Sequence, residues 1–549
     1  MSPLAASDTT TSGTDDMLRH SHTRLATTLL SSLSLASLAL AAPAQADTLN
    51  IGVMGELASF DTSQVSGGVW ESQILMDVYE GLLKENPEGE VMPGMATDWD
   101  ISEDGRTYTF HLREGAKWSD GAPVTAEDFV FGWQHLLDPA SASKYAYLLY
   151  PIKNAEAVNT GDRPLDALGV ESLDDGKTLK VTLDAPTPYF LQLLTHYTAY
   201  PVPKHAVEKY GKQWVKMDNI VTNGAFTPVE WVSQSRISVE KNPDYYEADE
   251  VELDGVNYFN TEDRNAAISR FRAGELDIVR DYPSSRYQWL EDNLPEATHL
   301  SPMLGSYYYV LNTREGRPTA DKRVREALNL VARRKVLSEQ IMAGSFKDAY
   351  SLVPPGTSHY DVQRMDGVDG DYQKRLARAK QLIEEAGYGP DNPLHLQLRY
   401  NTSDEHKKIA IALAAMWKPL GVDVEMTNAE ATVHYQTIQQ GDFDIARAGW
   451  IADYNDAENF LTLLRSGVGN NYGGYANPEY DALLAQAATV RDLDEREALL
   501  EKAENVALDD YALVPLLYYV TRNLVNPDIS GWQDNAEDDH PSRWVTFTE

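Results

Sequence analysis

The chain has 549 residues, and 42% of them are hydrophobic, a composition that supports a large folded core and argues against disorder. Its 84 acidic residues outnumber 47 basic ones and give a formal net charge of −37 at pH 7, which argues against nucleic acid or an anionic membrane surface as a partner. Cysteine is absent, which excludes disulfides, thiolate nucleophiles, sulfur-bound metals and a lipid attached through cysteine.

The N-terminus is typical of a secretory signal. An apolar run over residues 25–42 follows two arginines and precedes Ala44-Gln45-Ala46, a small-residue cleavage motif. We therefore predict a signal peptide over residues 1–46, with Met17 as an alternative start, and a mature protein in the periplasm. No later apolar run is long enough to span a bilayer, so direct membrane insertion is not expected.

The first part of the mature chain alternates short strands with helices. Residues 49–54 have the pattern of a strand, a glycine-rich loop follows at 65–70, and residues 71–83 have the pattern of a helix. Residues 99–112 form a predicted hairpin, with Asp104-Gly105 as its turn. The region is therefore mixed α/β.

Two stretches are predicted to connect domains. Pro201-Val202-Pro203 is conformationally stiff, and residues 305–312 have the pattern of a strand. We place the boundaries of a three-domain protein at these two crossings.

A βαβ unit is predicted in the last third of the chain. Leu394, Leu396 and Leu398 alternate along a strand, apolar side chains recur at helical spacing over residues 409–420, and residues 422–426 alternate again. Gly421 is a helix-ending residue. A right-handed crossover between parallel strands follows, and the helical stripe is a core face.

Residues 443–455, Phe-Asp-Ile-Ala-Arg-Ala-Gly-Trp-Ile-Ala-Asp-Tyr-Asn, can be interpreted in two ways. They begin as a strand and end with Trp450 and Asp453, so that Arg447 and Asp453 could hold the two charged ends of a small zwitterion. Alternatively, Arg447 is an exposed edge residue, Trp450 is a core ring, and Asp453 or Asn455 caps a helix starting near Ala457. The residues alone favour the second interpretation.

Catalytic signatures are absent from the sequence. It has no phosphate loop, no His-Glu-x-x-His pair and no Gly-x-Ser-x-Gly elbow, and its 12 histidines are scattered. The acidic pairs Glu384-Glu385 and Asp538-Asp539 are typical of solvated surface. We expect no enzyme activity, no metal and no cofactor.

The stretch 443–455 nevertheless resembles the periplasmic oligopeptide-binding proteins of ABC importers, which belong to family 5 of the extracellular solute-binding proteins. Long blocks at residues 81–129, 223–246 and 514–525 share the resemblance in the same order. It implies an α/β, bilobed periplasmic-binding-protein fold of class II, of the three-domain peptide-binding type, with mixed sheets. The implied domains are a lobe I core (47–79, 203–304 and 521–549), an inserted accessory domain (80–202) and lobe II (305–520).

The resemblance also implies a peptide site. Asp453 matches the carboxylate that holds the peptide ammonium, and Arg447 and His406 match basic groups that meet the carboxylates of ligands of different length. The remaining matches are walls or main-chain donors and acceptors: Tyr145, Trp450, Tyr519, Gly449, Ile451 and Val69. The implied partners are short peptides and the membrane permease subunits of an importer, and the implied state is a monomer.

The sequence departs from the family pattern at several positions. Ala431 replaces a cleft tryptophan, Ile438 replaces a basic residue, and an acidic side chain is missing near Gly67. Gly305 and Ile451 stand where some relatives carry a bridged cysteine pair. The changes at Ala431 and Ile438 leave ligand length and side-chain preference open. Two alternative functions also stay open: the same fold binding a dipeptide, murein peptide, nickel chelate or oligosaccharide, and a secreted hydrolase.

Overall fold

The computed structural model describes residues 47–65 and 69–548. The predicted signal peptide and the departure at Gly67 lie outside these ranges. No helix within them is both long and apolar enough to cross a membrane.

The strands of the described chain form one large sheet and three small ones. The large sheet has 11 strands in the order β15-β14-β16-β12-β17-β11-β1-β10-β9-β8, with β13 paired to β17. A four-stranded sheet has the order β4-β5-β7-β6, and β2-β3 and β18-β19 are two-stranded. The bounds are β1 Thr48–Val53, β2 Leu83–Glu85, β3 Val91–Pro93, β4 Ala96–Ile101, β5 Thr107–Leu112, β6 Val170–Leu173, β7 Thr178–Thr182, β8 Phe226–Val232, β9 Arg236–Lys241, β10 Gly255–Asn260, β11 Ile278–Arg280, β12 Thr298–Leu311, β13 Lys347–Asp348, β14 Leu394–Asn401, β15 Val422–Ala429, β16 Ile445–Ile451, β17 Leu513–Val525, β18 Ile529–Ser530 and β19 Thr546–Phe547.

Helices cover the faces of the sheets. The bounds are α1 Val69–Val78, α2 Ala126–Leu137, α3 Ala155–Asn159, α4 Phe190–Leu193, α5 Lys204–Tyr210, α6 Arg264–Arg272, α7 Tyr287–Asn293, α8 Lys322–Val331, α9 Arg334–Val336, α10 Tyr372–Glu385, α11 Asp404–Trp417, α12 Ala431–Gln439, α13 Glu458–Leu461, α14 Pro478–Ala487 and α15 Leu493–Asp509.

The two long strands β12 and β17 join the two halves of the large sheet. They pair antiparallel from Thr298–Leu524 to Pro302–Val520, and again from Ser306–Tyr518 onward, with a register shift between. On its opposite edge β17 pairs with β11 at Asn523–Val525, and on its opposite edge β12 pairs with β16 at Gly305–Leu311. An irregularity of this kind bends the strand that carries it. The register shift between Pro302 and Ser306 adjoins residues 305–312, which the sequence predicts as a crossing between domains.

The hydrophobic core is divided in the same way. One cluster holds buried residues from 49 to 278 together with Val525 and Val545. Two further clusters are built almost entirely from residues 304–517. The sequence therefore folds into two halves that share the pair β12–β17; the predicted domain boundaries stay a prediction.

The βαβ unit is confirmed. Strands β14 and β15 pair parallel from Leu394–Val422 onward, and α11 connects them. Leu413 and Trp417 on its inner face are fully buried, and the left-handed φ of 79° at Gly421 ends the crossover segment. The helical stripe is thus a core face, as its spacing predicts.

The predicted helix over residues 71–83 is wrong at its C-terminal end. Helix α1 stops at Val78, where Gly224 donates its backbone N–H to the Val78 carbonyl at 2.9 Å. Glu80 then donates its backbone N–H to Asn223 Oδ1 at 3.1 Å. A distant segment therefore replaces the next helical turn, which no local pattern in the sequence indicates.

Candidate functional site

Strand β16 carries Arg447, and Asp453 follows two residues after its end. The strand pairs with β12 along its whole length but with β14 only at Ile445 and Ala446. The Arg447 carbonyl points away from β12 and accepts from His434 Nε2 at 2.9 Å. Because backbone groups alternate sides along a strand, those of Gly449 and Ile451 face the same unpaired edge. That edge can accept an extended chain.

Arg447 is buried, with 6% of its surface exposed, and forms no ion pair with any described carboxylate. Its guanidinium donates to Asn401 Oδ1 at 3.2 Å, to Tyr435 Oη at 3.0 Å and to Tyr519 Oη. The Tyr307 ring centroid lies 4.7 Å from its central carbon, and Nε has no hydrogen-bond partner among the described residues. The expectation of an exposed edge arginine is therefore wrong. A buried cation held only by neutral groups is suited to bind an anion.

His406 lies beside this cation. The Tyr307 hydroxyl is 3.2 Å from His406 Nδ1, and the two rings are 5.5 Å apart. Burial, together with the nearby Arg447 charge, lowers the pKa of His406 to about 3. His406 is therefore neutral at pH 7 in the ligand-free protein and can offer only a neutral hydrogen bond there.

Gly449 keeps this region open. A Cβ at Gly449 would lie 2.7 Å from Tyr519 Oη, 2.9 Å from Arg447 Nη2 and 3.3 Å from the Ser306 carbonyl. A side chain would therefore crowd the groups that hold Arg447. The residue thus contributes a backbone surface next to the cation.

Asp453 follows the end of β16 and is half-buried. The Tyr147 hydroxyl donates to its Oδ2 at 3.0 Å, and the Asn459 side chain also bonds it. Burial raises the pKa of Asp453 to about 6, against these two bonds, and no described cation pairs with it. The alternative role as a helix cap is wrong, because Asp456 Oδ1 accepts the Glu458 N–H at the start of α13 at 2.8 Å. Asp453 is therefore a desolvated carboxylate without a counter-charge.

Trp450 holds the segment between the two charged residues. Its indole N–H donates to Asn459 Oδ1 at 2.7 Å, and the same oxygen accepts the Asp453 N–H at 3.3 Å. The ring packs half-buried against a core cluster. Trp450 thus fixes the backbone of Asp453 and is only partly a core ring.

A cavity of about 180 Å³ lies next to Asp453. Tyr145, Ile451 and Asp453 line it, and so do Glu85, Glu537 and Asp539. Arg447, His406 and Tyr519 form a separate group around Tyr307. Val69 is the first residue of α1. The described site therefore consists of an acidic region at the end of β16 and a cationic region within it.

Several residues of the site were missed. No local pattern in the sequence indicates Tyr147, Tyr435 or Asn401, because only tertiary structure brings them to Asp453 and Arg447. The expectation that Asp538-Asp539 is solvated surface is wrong. Asp538 pairs with Arg280 at 2.7 Å, and Asp539 faces the cavity.

The structure locates four of the residues that depart from the family pattern. Ala431 is exposed at the start of α12, and Ile438 is fully buried in a core cluster. Gly305 and Ile451 are directly opposed across β12 and β16. That pairing matches the expectation of two adjacent positions, here without cysteines.

Comparisons with known proteins identify relatives along most of the chain. The profile of bacterial extracellular solute-binding proteins, family 5 Middle, matches residues 90–472. The periplasmic oligopeptide-binding protein OppA of Escherichia coli K12 is 41% identical over 87% of this chain and 88% of that protein. The periplasmic murein peptide-binding protein MppA of the same strain is 39% identical over 89% and 90%.

A solved structure of a relative has the same fold. Haemophilus influenzae OppA, in complex with the peptide RPPGFSPFR, superimposes with a TM-score of 0.76 at 35% identity and covers 92% of this chain and 99% of that one. The mixed sheets and the α/β organisation agree with the expected fold class. The chain therefore belongs to family 5 of the bacterial extracellular solute-binding proteins.

Proposed function

We propose that this protein captures short peptides in the periplasm and delivers them to the permease subunits of an ABC importer. It acts as a monomer and by binding alone, without catalysis or a cofactor. The observation that carries the proposal is the pair Asp453 and Arg447. They are two desolvated charges of opposite sign, on β16 and just after its end, and neither has a counter-charge among the described residues. A peptide zwitterion supplies both missing partners.

Asp453 holds the α-ammonium in this proposal, with Tyr147 and Asn459 orienting its carboxylate. Arg447 holds the α-carboxylate, assisted by Tyr435, and His406 serves ligands of another length. Charge-assisted hydrogen bonds of this kind are roughly twice as strong as neutral ones. Recognition of the two ends leaves the side chains free to vary.

The peptide backbone pairs with the unpaired edge of β16 through Gly449 and Ile451, and Val69 contributes a main-chain group from the opposite side. Main-chain pairing adds affinity without reading side chains. The Cα atoms of Arg447 and Ile451 are about 13 Å apart along the strand. With Asp453 lying beyond Ile451, this separation suits peptides of about three to five residues.

Closure of the two halves follows from the long strands β12 and β17, whose register shift is the proposed hinge. In this proposal lobe I consists of residues 47–79, 203–304 and 521–549, the accessory domain of 80–202, and lobe II of 305–520. The cleavage site after Ala46 belongs to the same proposal.

Native mass spectrometry tests the proposal. The purified protein is incubated with an equimolar mixture of di- to hexapeptides and an oligosaccharide. We expect adducts at the masses of intact tri- to pentapeptides. Adducts of the oligosaccharide alone would overturn the peptide assignment in favour of another solute, and loss of intact peptide mass would indicate a hydrolase.

A further inference from the structure

Tyr454, the residue after Asp453, reaches into the other half of the molecule. Among the described residues 305–520 it alone packs against the core cluster built mainly from residues 49–278. Its ring lies on the ring of Tyr189, with the two centroids 4.7 Å apart and the planes inclined by 9°. Tyr189 follows β7 and directly precedes α4. The segment that carries Asp453 is thus attached to the opposite half through a ring stack.

The position of the Tyr454 ring is fixed within its own half. Its hydroxyl donates to Glu458 Oε2 on α13 at 2.7 Å, and its carbonyl accepts the Asp456 N–H at 2.9 Å. Asp456 in turn accepts the Glu458 N–H at the start of α13 at 2.8 Å. Because both its backbone and its hydroxyl are bonded, Tyr454 presents a fixed face to Tyr189.

A buried ion pair supports a second contact of Tyr189. Arg496 of α15 binds Asp456 through two hydrogen bonds of 2.6 and 2.8 Å, and only 4% of its surface is exposed. Its central guanidinium carbon lies 5.7 Å from the Tyr189 ring centroid, which is within the range of a cation–π contact. Tyr189 therefore contacts both a ring and a cation of the half that carries Asp453.

The bonds of Asp453 depend on the same alignment of the two halves. Its N–H is bonded within its own half, by Asn459 Oδ1 at 3.3 Å. Its carboxylate is bonded at 3.0 Å by the hydroxyl of Tyr147, whose ring stacks on Tyr145, a residue that packs against the same core cluster as Tyr189. The backbone and the carboxylate of Asp453 are therefore held from different halves. A contact between the halves next to Asp453 keeps these two bonds aligned.

We propose that Tyr189 is a positioning residue for ligand capture. Its stack on Tyr454 keeps Asp453 in the orientation in which Tyr147 bonds the carboxylate and the α-ammonium of a peptide can pair with it. Tyr189 acts through Tyr454, since neither ring lines the cavity beside Asp453. The inference rests on the proposed function, because it concerns how the ammonium-binding carboxylate is held. The alternative is that the stack contributes to folding stability alone.

Competition calorimetry with Ala-Ala-Ala and its N-acetylated form separates these two roles. The ratio of the two Kd values measures recognition of the ammonium, whereas a loss of folded protein affects both peptides alike. For Y189A we expect this ratio to fall at least about tenfold below the wild-type ratio, because a misoriented carboxylate loses most of a charge-assisted contact. Y189F keeps the ring and should keep the wild-type ratio within about twofold.

Two further variants complete the test. Y189L covers the case in which Y189A does not fold, because leucine keeps apolar bulk but cannot stack on a ring; its ratio should fall as well. R491A is the matched control. Arg491 is exposed and donates to the Glu103 carbonyl at 2.5 Å, a contact between the same halves that does not involve Tyr454, so R491A should keep the wild-type ratio.

An unchanged ratio in Y189A or Y189L, or a fall in Y189F or R491A, would overturn the role of Tyr189 while leaving peptide binding intact. A wild-type protein that does not distinguish the two peptides would instead overturn the proposed function and this inference with it.

Discussion

In the proposed function, the ionisation of Asp453 controls ligand capture. Burial raises its pKa to about 6 in the ligand-free protein, and a bound ammonium would lower that pKa again. The carboxylate is therefore available above pH 6 and is lost as the pH falls through this value. Burial of its charge also destabilises the ligand-free protein near neutral pH, a cost that protonation removes between about pH 6 and pH 4.

The first prediction concerns this titration. The affinity for Ala-Ala-Ala should be constant between pH 6.5 and 7.5 and about tenfold weaker at pH 5, because one proton must leave Asp453 before the ammonium can pair. Calorimetry across this range measures it. The variant D453N should bind weakly with no change over the same range; a flat wild-type profile would contradict the assignment of the pKa to ligand capture.

The second prediction concerns Arg447. Replacing it with methionine removes the buried cation at similar volume, so we expect affinity for a free tripeptide to fall by about 30-fold or more. The thermal stability should not fall, since the cation has no counter-charge to lose within the described part of the chain. The C-terminally amidated peptide is the control. It should bind wild type and R447M alike, and an R447M protein that still prefers the free acid would show that the carboxylate lies elsewhere.

The sequence predicts the individual site residues only with the help of the resemblance to the peptide-binding family. The stretch 443–455 alone favours an edge arginine and a capping aspartate, and both expectations are wrong. Whether Arg447 is buried depends on β12 and β14, which flank its strand from distant parts of the chain. The positions of Tyr147 and of the cavity residues Glu85 and Glu537 depend on tertiary contacts in the same way.

At the scale of secondary-structure elements, strand β16 has one feature that the local sequence pattern predicts and another that only tertiary structure determines. Alternation predicts the strand, yet only its neighbours determine that one backbone edge beyond Ala446 is unpaired. Helix α11 is the opposite case, because its apolar stripe predicts both the helix and its buried face. Helix α1 ends early because Gly224 approaches the Val78 carbonyl.

The third prediction concerns that close approach. A Cβ at Gly224 would lie 2.5 Å from the Val78 carbonyl carbon and 2.6 Å from the Tyr79 nitrogen, both backbone atoms. G224A should therefore destabilise the protein by about 2 kcal/mol or more, measured by urea unfolding. G389A, where a Cβ would meet nothing within 4 Å, should change stability little. Equal stabilities of the two variants would contradict the packing of this segment against α1.

Across the whole molecule, the two core regions meet at the pair β12–β17, and the register shift between Pro302 and Ser306 provides a place to bend. The strand pattern at residues 305–312 predicts a crossing here, but not that β12 extends back to Thr298 or that β17 continues to Val525. Those extensions depend on pairing between segments more than 200 residues apart, which short-range periodicity does not report.

The fourth prediction is a contraction on binding. Small-angle scattering should show a smaller radius of gyration after a saturating tripeptide is added, because the two halves close about this hinge. The D453A variant at the same peptide concentration should scatter like the ligand-free protein. An unchanged radius for the saturated wild type would contradict hinge closure.

The central claim is that Asp453 binds the free amino end of a peptide. Calorimetry of wild type and D453A with a tripeptide and its N-acetylated form tests it most directly. Loss of one partner from a buried ion pair costs about 3–5 kcal/mol, so acetylation should weaken wild-type binding by about a hundredfold or more, and D453A should bind both forms equally weakly. Equal affinity of the wild type for both forms, or a D453A protein that still distinguishes them, would contradict the account.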